Sequence, residues 1–128
     1  MKNIEVLNIS RMIQSKEYVE VSESIKSTKF QYALRRSTQT IMNEAREIQA
    51  AIEDMKSDEL KDEIKKAAGK IDTKLQKKIE AFAKSKEFTD LLDIESNITL
   101  HKVKESDLPA DLDGKQMGAA IWLIEMEK

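Results

Sequence analysis

From Phe30 to Met55 the apolar and small residues hold to one face of an α-helix. They fall at Phe30, Leu34, Ser37, Ile41, Ala45, Ile48, Ile52 and Met55, with spacings of 4, 3, 4, 4, 3, 4 and 3. Thr28 stands at the capping position, so the spacing predicts a helix over 28–56. At about 1.5 Å per residue it extends about 43 Å, long for a chain of 128 residues.

A second amphipathic run follows almost at once. Ser57 is a hydroxyl cap with Asp58 and Glu59 in the first turn. Leu60, Ile64, Ala67, Ile71, Leu75, Ile79 and Phe82 then continue the helical period, which predicts a helix over 58–88. So short a link between Met55 and Leu60 folds the two helices back antiparallel. Gly69 inside the second run costs about 1 kcal/mol relative to Ala, and reads either as a close helix contact or as a bend.

Composition agrees with long helices. Charged residues make up 36% of the chain and apolar residues 40%, with Gly 3 and Pro 1. Cys 0 excludes disulfides, thiolate chemistry and Cys-based zinc sites, and fits a cytoplasmic or virion-interior setting. The uncharged apolar stretch Met117–Ile124 is far shorter than the roughly 20 residues that span a bilayer, so no membrane partner is expected. The opening residues do not form a signal peptide.

Shorter elements flank the two long runs. Asn3–Ile9, with Ile4 and Val6 of one parity, reads as a strand over 3–9. Tyr18–Val21 reads as a second short strand. Ile94, Ile98 and Leu100 alternate with polar residues, which predicts a half-buried strand over 94–103. Asp107-Leu108-Pro109 makes a turn, and Asp113 caps a last helix over 114–127 with Met117, Ile121 and Ile124 on its inner face. The fold class is therefore α+β, mostly α, over one domain, 1–128. A long antiparallel two-helix hairpin stands on a small antiparallel sheet, 3–9 against 94–103, with the C-terminal helix at its base.

The inventory for catalysis is small. His101 is the only histidine and sits on the polar parity of its segment. Asp90, Asp93, Glu95, Asp107, Asp111 and Asp113 gather acids toward the C-terminal end, but Asp111–Gly114 lacks the ligand spacing of a calcium loop. Gly114 and Gly118 form a G-x-x-x-G that reads as close packing. No catalytic residue, metal site or cofactor is expected.

Charge is uneven along the chain. Residues 57–87 carry nine Lys and seven acids, whereas residues 88–128 carry four Lys and nine acids, within a total of −2. Lys66, Lys70, Lys74 and Lys77 follow one stripe of the second helix, a candidate track for phosphates that Arg35-Arg36 would extend. Acids flank the stripe and no aromatic residue interleaves, so a solvated face is the simpler reading. The distal hairpin end, Ile48, Ile52, Met55, Leu60 and Ile64, has too little chain to cover it and is the candidate partner-binding surface.

Several strings resemble an uncharacterised family of small tailed-bacteriophage proteins, a domain of unknown function. They are Phe30-Gln31-Tyr32-Ala33-Leu34, Leu91-Leu92-Asp93-Ile94-Glu95, Leu100-His101-Lys102-Val103 with Asp107-Leu108-Pro109, and Leu123-Ile124-Glu125. The resemblance spans most of the chain, while Arg35-Arg36 and the acidic tail depart from the family's pattern. It implies a phage or prophage setting, in the host cytoplasm or the virion, and carries no functional residue. The expected function is that of a non-enzymatic accessory protein working through protein contacts, such as those of virion assembly. The expected partner is a second copy or another phage or host protein. Inhibition of a host defence protein, or weak nucleic-acid binding through the lysine stripe, are the alternatives.

Overall fold

The computed structural model describes residues 1–125. Seven α-helices form among these: α1 (Asn3–Gln14), α2 (Lys16–Glu23), α3 (Thr28–Met55), α4 (Asp58–Ala67), α5 (Thr73–Ala83), α6 (Lys86–Asp93) and α7 (Gly114–Ala120). Two strands of two residues each, β1 (Val103–Lys104) and β2 (Ile124–Glu125), pair in parallel, Val103 with Ile124 and Lys104 with Glu125. The chain is thus mostly helical with a small parallel sheet, where an antiparallel sheet was expected.

The long helix α3 is the backbone of the molecule. Ser27 caps it, its Oγ accepting from the Phe30 N–H at 3.1 Å. Its buried residues are Phe30, Ala33, Ser37, Ile41, Ala45 and Ile48, all but Ala33 from the stripe that the spacing picked out, whose Leu34, Ile52 and Met55 are half-buried. What lies along the stripe is α1 rather than the helix that follows α3. Val6, Leu7 and Ile13 of α1 and Tyr18 of α2 bury against Ile41, Ala45 and Ile48. A second cluster joins Phe30 and Ala33 to Ile25, Val103, Leu108, Ala120, Leu123 and Ile124.

Residues 3–9 are therefore the start of a helix and not a strand. Asn3, Val6, Leu7, Ser10 and Ile13 are buried, a helical period that a window ending at Ile9 is too short to display. The Glu5 carboxylate accepts from the Lys2 N–H at 3.0 Å and closes the first turn. Tyr18–Val21 is likewise helical. Ser15 caps α2, and Tyr18 and Ser22 bury one turn apart.

The helix expected over 58–88 is three helices. At Ala68 and Gly69 the backbone turns left-handed, with φ of 48° and 87°, and ends α4. Asp72 then caps α5, its Oδ1 accepting from the Leu75 N–H at 2.8 Å. Ser85 ends α5 and caps α6, where the Phe82 and Phe88 rings meet at 5.2 Å across the corner. The hairpin in this part of the chain is α4 with α5, and the Glu63–Lys78 ion pair at 2.7 Å bridges it.

The strand expected over 94–103 is an extended strap laid along α3. One antiparallel bridge, Lys2 with Glu95, and β1 are its only ladder contacts among the described residues. Side chains hold the rest. Ser37 Oγ donates to the His101 carbonyl at 2.7 Å, and Ser27 Oγ donates to the Asp107 carbonyl at 2.8 Å. The N-terminus does lie beside this segment, as the expected pairing required. Asn3 N–H donates to the Ile94 carbonyl at 2.9 Å, Asn3 Nδ2 donates to the Leu91 carbonyl at 2.8 Å, and Ser96 Oγ donates to Asn3 Oδ1.

The last helix ends at Ala120 and tightens into a 3-10 turn, Ile121–Leu123, before β2. That change of period turns Ile121 outward, 60% exposed, and buries Ala119, Ala120 and Leu123, together with Ile124, which was expected inside. Met126 and Glu127, the end of the expected helix over 114–127, lie outside the described residues. Tyr18 locks α2 to this corner, donating to the Ala119 carbonyl and accepting from Trp122 Nε1, both at 2.8 Å.

Candidate functional site

The expected partner surface is divided by the fold. Ile48 is 3% exposed inside the α1–α3 cluster, and Ile52 packs against that cluster. Neither is free for a partner, because α1 covers the face that the second long helix was expected to leave wet. Met55 is half-buried. Leu60 and Ile64 fall on α4, Leu60 buried and Ile64 half-buried.

The helices α4 and α5 stand apart from both core clusters, and α6 joins them to the first through Leu92, which packs against it. Leu60 and Leu75 are the buried residues of α4 and α5, and α6 has none. Ile64, Ile79, Phe82 and Phe88 are half-buried along this arm, and Ile71 at its tip is 44% exposed. The arm thus carries an apolar surface with only partial cover.

The lysine stripe lies on the same arm but is not continuous. Lys66 ends α4, Lys70 lies in the turn, and Lys74 and Lys77 are on α5. Lys66, Lys70 and Lys74 face a concavity of about 340 Å³ together with Glu63, Asp72 and Lys78, while Lys77 lines a separate concavity with Glu80. Lys66 pairs with Asp62 at 2.9 Å and Lys78 with Glu63 at 2.7 Å. These hydrogen bonds raise both ammonium pKa values above the usual lysine range. A phosphate entering here would displace carboxylates already in place.

Four of the six acids are likewise occupied one by one, while Asp90 and Asp111 are exposed. Asp93 pairs with Lys2 at 2.6 Å, Glu95 with the N-terminal ammonium at 2.9 Å and Asp107 with Lys29 at 3.1 Å. Lys29 holds the Asp107 carboxyl below the usual carboxylate range. Asp113 caps α7, its Oδ1 accepting from the Gln116 N–H at 2.8 Å. Among the described residues no group of three or more His, Asp or Glu side chains is placed to hold a metal ion. The G-x-x-x-G does not pack closely either, since a Cβ at Gly114 or Gly118 would meet nothing within 4 Å.

His101 is exposed, but it is not isolated. Its ring stands edge-on to Tyr32 at 5.2 Å, and the Arg36 guanidinium lies 6.0 Å from the centre of the same Tyr32 ring. Arg36 therefore belongs to a separate cluster, with Arg35 three residues from Tyr32 along α3. Nothing local in the sequence reveals it, because the strap brings together residues almost 70 positions apart.

No helix among the described residues is long and apolar enough to cross a membrane. No protein-family model, curated protein or solved structure matches the chain.

Proposed function

We propose that this chain is a non-enzymatic accessory protein that acts through protein–protein contacts made by the α4–α5 arm, with a second copy of itself as the first occupant. The resemblance of its strings to small tailed-phage proteins supports a phage or prophage setting, with virion assembly as the role.

One observation carries the reading. The folded chain exposes 9065 Å². A compact monomer of 14.7 kDa exposes about 6,900 Å² on the usual scaling with mass. The surplus, on the order of 2,000 Å², exceeds the ~800 Å² that each partner contributes to a standard interface. Helices α4 and α5 bury one residue each, Leu60 and Leu75, and the arm's other apolar residues Ile64, Ile71, Ile79 and Phe82 are the type that an interface core uses. The lysine–carboxylate pairs around them make a polar rim.

The cysteine-free sequence permits a clean test. Ile71→Cys, treated with a thiol-specific bifunctional reagent, is expected to give a covalent dimer. Glu20→Cys, exposed on α2, is expected to give none. Equal yields from the two variants would remove the arm as the contact surface.

A further inference from the structure

The strap places two acid-free segments side by side. Residues 28–43 of α3 contain Lys29, Arg35 and Arg36, and residues 96–104 contain His101, Lys102 and Lys104, with no Asp or Glu in either. The whole chain is net −2, so this face is a local reversal of sign. Asp107 offsets Lys29, but Arg35, Arg36 and Lys102 are exposed and pair with no carboxylate among the described residues. Tyr32, 53% exposed, is flanked by the His101 ring and the Arg36 guanidinium, with Arg35 three residues on along the helix and Lys102 next to His101 in the chain. Ser37, fully buried, fixes the strap at the His101 carbonyl and so holds the cluster in register.

An exposed aromatic among unpaired cations is the combination that the Lys66–Lys77 stripe lacks. Cations track a phosphate backbone, and an exposed ring stacks an unpaired base. Sixteen residues of helix span about 24 Å, room for a few nucleotides of an extended strand. A duplex hides its bases from Tyr32, and an acidic protein segment leaves the ring without a stacking partner.

We infer that the face formed by Tyr32, Arg35, Arg36, His101 and Lys102 binds single-stranded nucleic acid, a second surface separate from the α4–α5 arm. The strand's phosphates meet Arg35, Arg36 and Lys102, and one base stacks on Tyr32.

Fluorescence anisotropy of labelled oligo-dT and oligo-U against the full-length protein tests this. Binding is expected at low salt, with log K falling against log salt at a slope of about −2 for three phosphate contacts. The double variant Arg35→Gln/Arg36→Gln is expected to remove about 1.4 of that slope. Tyr32→Ala is expected to weaken binding roughly 5- to 100-fold with the slope unchanged. Lys66→Gln/Lys70→Gln serves as the control and is expected to bind as the parent does. Absence of binding at low salt would overturn the inference, as would equal affinity for duplex or greater loss in the control than in the Arg35/Arg36 variant. Capture of polyglutamate without oligonucleotide would assign the face to an acidic protein partner instead, and would also overturn it.

Discussion

At the scale of single residues, Tyr18 has most to lose. Its hydroxyl joins the Ala119 carbonyl to the Trp122 indole, and all three groups sit in or beside the core. Tyr18→Phe would leave that carbonyl and that N–H without a partner, at a cost of about 1–3 kcal/mol in chemical denaturation. Burial raises the phenol pKa above its ordinary value of 10.0, and the Trp122 hydrogen bond offsets part of the rise. The folded state therefore holds this proton at a pH where the unfolded state has released it. Stability is expected to fall as pH rises above 10.0 toward the raised value, and the Phe variant should lose this component of the fall. Equal alkaline loss in both proteins would show that Tyr18 does not ionise on unfolding. Ala68 is a second exposed test. An L-residue in the left-handed region costs roughly 1–2 kcal/mol, which glycine avoids. Ala68→Gly is expected to raise the unfolding midpoint, and Gly69→Ala, at φ 87°, to lower it.

At the scale of elements, the chain divides into a well-covered α1–α3 core and a lightly covered α4–α5 hairpin. Amide exchange measures this directly. Amides of α4 and α5 are expected to open at lower free energy than those of α3 between Ser37 and Ile48. Equal protection would mean that the hairpin is part of the core. The contrast also explains what could be read in advance. The helix α3 was legible because its stripe continues without interruption for seven turns and a hydroxyl cap precedes it. The alternation of Ile94, Ile98 and Leu100 placed Ile98 and Leu100 against the core, but Ile94 is 54% exposed and the segment forms no strand before Val103. The strap's partner was not legible, because Ser37 and Ser27 hold it with side chains, and their role is invisible until α3 and the strap are brought together. Asn3–Ile9 misled because aliphatic and β-branched residues in a short window satisfy both periods. Ile13 decides the matter, and it lies beyond that window. At Gly69 the bend was one of two readings, but the helix was carried through it, and the break at Ser85 was missed, because the apolar period crosses both. Asp72 and Ser85, each three residues ahead of a partly or fully buried apolar residue, were the signals available. The Tyr32–His101 cluster had no local signal at all.

At the scale of the whole molecule, surface area is the governing quantity. A chain that exposes 9065 Å² at 14.7 kDa has more surface than its own folding covers, and on the α4–α5 arm that surface includes the exposed Ile71 and the half-buried Ile64, Ile79 and Phe82. Self-association covers such a surface at no cost in further sequence. Molar mass in solution, by light scattering on a sizing column across a dilution series, tests this most directly. A species of at least twice 14.7 kDa that dissociates on dilution is the expected result. A monomer of 14.7 kDa at every concentration would contradict it.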